Sequence, residues 1–431
     1  MRVLTIVKDF DIGGTQRVAQ NLTLGVQRAG IDVAVLGYHK RGSRERFYRE
    51  REVPVFGPEE SQSSDSVNEA LRWRPDIVHI HRTGYPDQFE TRLLREFRSH
   101  GARIVETNVF ARYDQTEAHH LIDVHCLLSR WCWMKWTMWR SNRDDSAATI
   151  LPNAVDVGRF ARLGERERQA LRAALGVPAS RFLFGRIGQP ISSKWSPEIF
   201  PAFSEAVARG GDLGLLLVGA PNEYKRLVAN LERSTRDRIL MIDAVDDDAR
   251  LSGFYSVMDA FIHLSEIGES FGMVLCEALL CGTPVITLST PLRDNSQLEV
   301  VGHERGGLIA LDLKGVVEAM VRIQGDQSLR MRVQTEGRAW VADRFAVDVV
   351  ASRAIHIYEA LMAAADKADL QKRLNALGAE PPDLDWLNAI QLDGLGAAPT
   401  CSQKIFFRLL HVPQIYRAFQ LLKTGVLGVR R

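Results

Sequence analysis

Short aliphatic and β-branched runs alternate with helical stretches along most of this chain, and the alternation happens twice. The first series is RVLTIV (2–7), DVAVLG (32–37), DIVHI (76–80), RIVET (103–107), VHCLLS (124–129) and ATIL (148–151). A charged, Ala-rich helix, ERERQALRAALG (165–176), interrupts it, and the rhythm restarts with RFLFGRI (181–187), GLLLVG (214–219), RILMI (238–242), DAFIHL (259–264) and PVITL (284–288). Strands separated by helices need crossover connections, and crossovers lay the strands parallel. Two doubly wound sheets in series are therefore expected, an α/β architecture. A chain of 431 residues is too long for one ordinary core, and it suits two domains of about 150 to 200 residues each with an appendage. The expected division is 1–165, then 166–345, then C-terminal helices over 346–377 with the option of crossing back to the first domain. A Gly-, Pro-, Ala- and Asp-rich linker and a basic amphipathic tail fill 378–431.

Composition excludes several classes. Hydrophobic residues make up 45% and charged residues 25%, ordinary globular usage that sets disordered and fibrous chains aside. A formal net charge of +2 gives no bulk electrostatic reason to expect a nucleic-acid partner. No basic region followed by a long apolar stretch opens the chain, so no signal peptide is expected. No window reaches the ~18 consecutive apolar residues of a spanning helix; the best, MVLCEALLCGTPVITL, is broken by Glu277, Gly282 and Pro284. The five cysteines (126, 132, 276, 281, 401) include no C-x-x-C pair, which fits reduced thiols and a cytoplasmic setting.

The stretch with most chemistry in it runs from Glu269 through Ser-Phe-Gly-Met-Val-Leu-Cys to Glu277 and Ala278, with Gly282-Thr-Pro-Val following. Two glutamates bracket a turn and the opening of a helix, and Gly272 stands where a ligand can approach the backbone. Free amides at a helix start favour an anionic or polar ligand, and a carboxylate inside the helix can accept from a diol. Gly13-Gly14-Thr15 likewise follows a strand and opens a helix, with no third glycine to make a dinucleotide fingerprint. The segment Arg293-Asp294-Asn295-Ser296 follows strand PVITL, at the carboxyl end where such folds bind ligands.

The glutamate segment resembles the E-x7-E donor site of the large retaining GT-B glycosyltransferase family numbered four, whose pattern is E-x-F-G-x-x-x-x-E-A followed by a G-x-P-V strand. The likeness extends over residues 1 to about 345 in the same order: DIGGTQRVAQNL, RPDIVHIH, LPNAVDVGRF, and RFLFGRI with Lys194. The resemblance implies two facing Rossmann-like domains with an acceptor side in the first and a donor site mainly in the second. It implies transfer of a sugar from a nucleotide-diphosphate sugar to a glycan or lipid-linked acceptor, with retention of configuration. In that reading Glu277 accepts from the ribose and Glu269 from the transferred sugar. Backbone amides of Phe271, Gly272, Met273 and Val274 face sugar and phosphates, while Arg186 and Lys194 neutralise the leaving diphosphate. Gly13, Gly14, Asn295 and Ser296 are further donor-site candidates. No cofactor is expected, a carboxylate-held manganese has no obvious seat, and metal independence is expected.

Two departures from the family pattern stand out. Arg186 and Lys194 are farther apart than in its commonest form, and Trp195 rather than glycine follows the lysine. Asn108 stands where many members end a strand on a histidine, and it cannot take a proton, so His79, His81, His119 and His120 are alternatives. His81, Asn108 and His119 are the acceptor-side candidates. Trp131, Trp133, Trp136 and Trp139 share one short helix, read either as core or as an aromatic platform. Beyond Asp393 the chain has no acidic residue but keeps Lys404, Arg408, Arg417, Lys423, Arg430 and Arg431; that tail suits a peripheral position on an anionic membrane or packing on its own protein. A nucleotide-sugar 2-epimerase on the same fold, or an inactive GT-B binding module, are the alternatives to transfer.

Overall fold

The computed structural model describes residues 1–11, 13–58, 64–141, 144–378, 401–410 and 412–427. They form two compact units, each built on one parallel sheet. Among the described residues of the first are Met1–Val155, Phe345 to 378 and 406–427; Asp156–Arg344 make up most of the second. The first boundary thus falls after Val155, not after residue 165.

The first unit's strands are β1 (Arg2–Asp9), β2 (Asp32–Lys40), β3 (Val55–Phe56), β4 (Ile77–Arg82), β5 (Arg103–Asn108), β6 (Val124–Leu127) and β7 (Ala147–Ile150). They lie in the order β3-β2-β1-β4-β5-β6-β7. Alternate residues serve opposite faces. Leu4, Ile6, Val78, Ile80 and Ile104 meet Leu93, Leu94 and Phe97 of helix Gln88–Ser99. Val3, Val7, Ile77 and Val105 meet helix Gly14–Arg28 and helix Val347–Ala363. Those two helices approach so closely that a Cβ on Gly25 would stand 2.6 Å from Val347 and 2.9 Å from Ala351.

The chain leaves this unit and returns to it at one place. Val155 donates its N–H to Phe345 O at 2.7 Å, and Val347 donates to Val155 O at 3.1 Å. Helix Lys367–Ala376 then covers the sheet's edge strand, where the Gln371 amide bonds both the N–H (2.9 Å) and the C=O (3.0 Å) of Ala148, backbone groups that an edge otherwise leaves open.

The second unit has β8 (Phe182–Ile187), β9 (Leu213–Val218), β10 (Ile239–Ile242), β11 (Ala260–His263), β12 (Val285–Leu288) and β13 (Gly307–Ala310), ordered β10-β9-β8-β11-β12-β13. Phe184, Leu215, Leu217 and Ile262 pack against Phe200 and Phe203 of one helix and Val316, Met320 and Ile323 of another. At the opposite end, Asp259 accepts from Arg168 (2.6 Å), Arg172 (3.2 Å) and Leu183 N (2.8 Å), tying helix Glu165–Ala174 to the sheet. Two strands lie outside the sequence reading. β3 is only two residues long, and β13 begins on the second glycine of the Gly306–Gly307 pair.

The tryptophan helix (Arg130–Thr137) resolves as core: Trp131, Trp133 and Trp136 are almost fully buried. Helices Cys401–Leu410 and Pro413–Leu427 follow in the tail. Leu410 and Tyr416 are each 1% exposed, and Arg417 donates to Met138 O (2.7 Å) and Arg140 O (3.2 Å), so this part of the tail packs on its own protein. The linker at 379–400, and the side chains of Lys404, Lys423, Arg430 and Arg431, lie outside the described residues. Among the described residues no helix is long and apolar enough to cross a membrane.

Candidate functional site

In a doubly wound sheet the strand order reverses at one place, and the crevice beyond the carboxyl ends of the two strands there is where ligands bind. In the second unit those strands are β8 and β11. Arg186 lies near the end of β8, His263 ends β11, and the loop that leaves β11 carries Glu269 into helix Met273–Leu280. Gly272 caps that helix in the left-handed region, φ 94° and ψ 70°, where a side chain is strained. No side chain caps the helix; Leu275 N donates to Gly272 O at 3.0 Å, and a helix start of this kind favours an anionic or polar ligand.

Glu269 is held from several sides. Its Oε1 lies 2.9 Å from His263 Nε2, its N–H reaches Gln297 Oε1 at 3.3 Å, and its carbonyl accepts from Ser296 N at 2.9 Å. Burial acts to raise its carboxyl, but the His263 hydrogen bond, with the charges of Arg186 and Lys194, outweighs it and holds the group below the usual carboxylate range. Glu277 is nearly buried and accepts from Tyr255 OH at 3.0 Å. Burial first, and the Glu277 charge second, push the Tyr255 phenol well above its ordinary value, so it stays a donor.

The two cations divide differently from the sequence expectation. Arg186 is 2% exposed; Nη1 donates to Ile187 O and Nη2 to Lys194 O, both at 2.8 Å. Its guanidinium lies 5.0 Å from the Trp195 ring and 5.6 Å from Phe261, and burial lowers its pKa to about 10. Arg186 thus braces the turn Ser192–Lys194 in place of standing as an open cation. Lys194 is half-buried, and its ammonium donates to a neutral partner, Gln189 Oε1, at 2.8 Å. The longer loop still brings its charge to bear on Glu269.

Asn295 and Ser296 need the same correction. Both are fully buried. The Asn295 Oδ1 accepts from Thr290 N at 2.7 Å and from Gln297 Nε2 at 3.1 Å, so these residues build the wall behind Glu269 and do not line the crevice. His263, Tyr255 and Gln297 were not singled out by sequence. The one signal was a histidine closing strand DAFIHL.

Gly13, Gly14, His81, Asn108 and His119 belong to the first unit. Its order reverses between β1 and β4. Gly13 caps helix Gly14–Arg28 without a side-chain bond, and a Cβ added at Gly14 would meet nothing within 4 Å. His81, near the end of β4, is 4% exposed with neither ring nitrogen partnered among the described residues, and burial lowers its pKa to about 3. The other two candidates are structural. Asn108 donates to Glu106 Oε1 (3.2 Å) and Arg112 O (2.8 Å) and accepts from Arg112 N (3.1 Å), closing its own loop. His119 is 2% exposed and bonded to Asp144 Oδ2 (3.0 Å) and Ser146 Oγ (2.8 Å). His79 is likewise satisfied by Tyr358 OH (2.6 Å) and Thr107 Oγ1 (2.8 Å). Beneath them, Arg82 pairs with Glu90 and Asp114 at 2.8 Å and Glu106 at 3.5 Å, a buried network with no sequence signature.

Carboxylates at metal-binding spacing are present after all, although a carboxylate-held manganese has no obvious seat in the sequence reading. Asp-x-Asp occurs at Asp9–Asp11 and Asp246–Asp248, and a third at 383–385 lies outside the described residues. Asp9 accepts from Gln16 Nε2 (2.8 Å) and Asp11 N (3.1 Å), Asp11 pairs with Lys40, and Asp248 pairs with Arg159. Among the described residues no group of three His, Cys, Asp or Glu could hold a metal ion.

Residues 182–326 match the family model described as glycosyl transferases group 1. The match covers the second sheet and both glutamates. Among curated proteins, the chain is 29% identical over 199 residues to the N-acetyl-alpha-D-glucosaminyl L-malate synthase of Bacillus anthracis, covering 45% of this chain and 49% of that protein. It is 25% identical over 228 residues to the lipopolysaccharide core biosynthesis mannosyltransferase LpsB of Rhizobium meliloti, covering 51% and 62%. The alignments thus span about half to three fifths of these relatives' lengths. Among solved structures, a glycosyltransferase from Rickettsia africae superposes with a TM-score of 0.67 at 13% identity, covering 84% of this chain and 98% of that one. The fold is of the GT-B type, with two Rossmann-like sheets and a helical C-terminal region.

Proposed function

We propose that this protein is a glycosyltransferase that moves a sugar from a nucleotide-diphosphate sugar to a glycan or lipid-linked acceptor, with retention and without a metal. The observation that carries the reading is Glu269, a carboxylate 20% exposed at the β8/β11 crevice, with Lys194 acting on it and the uncapped helix start of Gly272 beside it. Glu269 takes a hydroxyl of the transferred sugar, Glu277 the ribose hydroxyls, and Lys194 with the helix amides the diphosphate. No protein nucleophile is invoked; the leaving phosphate oxygen deprotonates the acceptor hydroxyl. Retention and this front-face route rest on the family resemblance. The family match over 182–326 supports the donor assignment, and LpsB, named for lipopolysaccharide core biosynthesis, supports a surface-glycan acceptor. On the acceptor side, His81 is the group left to meet it, while the Gly13–Gly14 helix start stays a candidate for the donor. The exposed Ile405, Leu409 and Leu421, with Arg408 beside them, support a peripheral seat on an anionic membrane.

The test separates the two glutamates. Thermal-shift screening against UDP, GDP, ADP, dTDP and CMP sugars first finds the donor, since ligand at 100 times its Kd stabilises by about 2.7 kcal/mol. Calorimetry then compares nucleotide with nucleotide sugar. Glu277→Ala is expected to weaken both, because the ribose is common to them. Glu269→Ala is expected to leave the nucleotide alone and weaken the sugar's contribution roughly ten- to a hundredfold. If both variants lose nucleotide affinity equally, or neither loses any, the assignment is wrong.

A further inference from the structure

We infer that His263 is a positioning residue for Glu269, fixing which carboxylate oxygen meets the transferred sugar. The inference rests on the donor-site reading above and adds a residue to it. His263 closes β11 and is anchored there: its carbonyl accepts from Thr287 Oγ1 at 3.0 Å across the strand pair, and its side chain is 1% exposed. The ring therefore has a fixed seat on the sheet, whereas Glu269 sits on a loop. The bond from Nε2 to Oε1, 2.9 Å long, transfers the sheet's rigidity to the loop carboxylate.

Three things follow from that bond. Oε1 is occupied by a donor, so Oε2, which has no hydrogen-bond partner among the described residues, is the oxygen presented to a hydroxyl. The main chain of Glu269 is held independently by Ser296 N and Gln297 Oε1, so loss of the histidine frees the side chain without releasing the loop. Burial, and then the charge of Arg186, disfavour the protonated form of His263, and together they outweigh Glu269, which favours it, and keep the imidazole neutral. A neutral imidazole with its proton on Nε2 donates to the carboxylate and leaves that carboxylate's full charge for the sugar.

The experiment uses the full chain with UDP, UDP-glucose, GDP and GDP-mannose as probes, in the parent and in His263→Ala, His263→Gln, Glu269→Gln and the His263→Ala/Glu269→Gln double variant. The readout is the sugar increment, the ratio of the Kd for nucleotide to that for nucleotide sugar. His263→Ala is expected to lower the increment about tenfold while nucleotide affinity stays within about twofold. His263→Gln keeps a side-chain N–H donor and is expected to restore most of it. The double variant is expected to lose no more than Glu269→Gln alone, because two residues acting through one bond are not additive. Equal loss of nucleotide and nucleotide-sugar affinity in His263→Ala, or additive losses in the double variant, would overturn the inference. If the parent binds none of the four probes and none of the ADP, dTDP and CMP sugars of the wider screen, the glycosyltransferase reading is what fails, and ¹⁵N NMR of the His263 ring decides the pairing without ligand. A lower imidazole pKa in Glu269→Gln supports it, and an unchanged titration refutes it. Should His263→Ala not fold, His263→Asn takes its place, with the same lowered increment expected and the same equal loss counting against the pairing.

Discussion

Gly268→Ala is the sharpest single perturbation of the loop that carries Glu269. Gly268 lies at φ +69°, and a Cβ there would stand 1.7 Å from Asp294 O and 2.7 Å from Thr290 Oγ1. Because real Cβ atoms essentially never come closer than 3.0 Å to a neighbour, loop and wall must separate by about 1.3 Å (3.0 − 1.7). That movement breaks the two main-chain bonds that lace them, Asp294 N to Ile267 O at 3.2 Å and Ser296 N to Glu269 O at 2.9 Å. Left-handed backbone costs an alanine about 1–2 kcal/mol, and each lost hydrogen bond adds about 1 kcal/mol. The sum is about 3–4 kcal/mol. In a unit of this size it lowers Tm by roughly 6 to 16 °C. Differential scanning calorimetry of the full chain reads it in the transition that shifts with nucleotide, and titration with the nucleotide sugar reads the displaced Glu269 as a lost sugar increment. A Tm within about 2 °C of the parent, with the increment intact, would refute the reasoning.

Lys194→Ala is expected to weaken nucleotide-diphosphate binding roughly ten- to a hundredfold with little change in Tm, whereas Arg186→Ala should lower Tm, because it strips the Ile187 and Lys194 carbonyls of their buried donor; equal Tm values for the two variants would remove the bracing role. Arg417→Ala should destabilise the first unit by about 1.5–3 kcal/mol through the Met138 and Arg140 carbonyls. In contrast, the outward substitutions Ile405→Glu, Leu409→Glu and Leu421→Glu together should abolish sedimentation with anionic vesicles at unchanged Tm, and undiminished sedimentation would rule out the tail as the membrane seat. His81 keeps a folded pKa of about 3 against an ordinary 6.5, so the unfolded chain takes up the proton first as pH falls. The stability this residue contributes is complete above pH 6.5 and is lost between 6.5 and about 3, by up to about 1.4 kcal/mol per pH unit. His81→Phe should flatten the urea-unfolding free energy in that window, and an unchanged slope would show that the imidazole is already solvated.

The sheets were legible because buried parallel strands must be apolar on both faces, and runs such as GLLLVG and DAFIHL have few other places to go. The two-residue β3 escapes that logic, since Val55 and Phe56 do not make a run. Glu269, Gly272 and Glu277 were legible for a different reason: they sit close together on one loop and helix, so their chemistry is written at short spacing. The bracing role of Arg186 was not legible, because a cation near a strand end reads the same whether it points at a phosphate or at main-chain carbonyls. Only the turn it braces, eight residues on in the chain, tells them apart. The supports of the two glutamates are more distant still in kind. Tyr255 reaches Glu277 from the preceding helix, and Gln297 reaches Glu269 from beyond β12. Facing a ligand calls for particular chemistry, which a pattern of residue types can record. Holding such a residue calls only for a donor at the right place, and that place exists once the strands have set it. The Asp9 and Asp11 pair shows the converse, because spacing suited to a metal is filled here by Gln16 and Lys40. Spacing along the chain therefore nominates a site, and the partners already bonded to each side chain decide whether the chemistry is still available to a ligand.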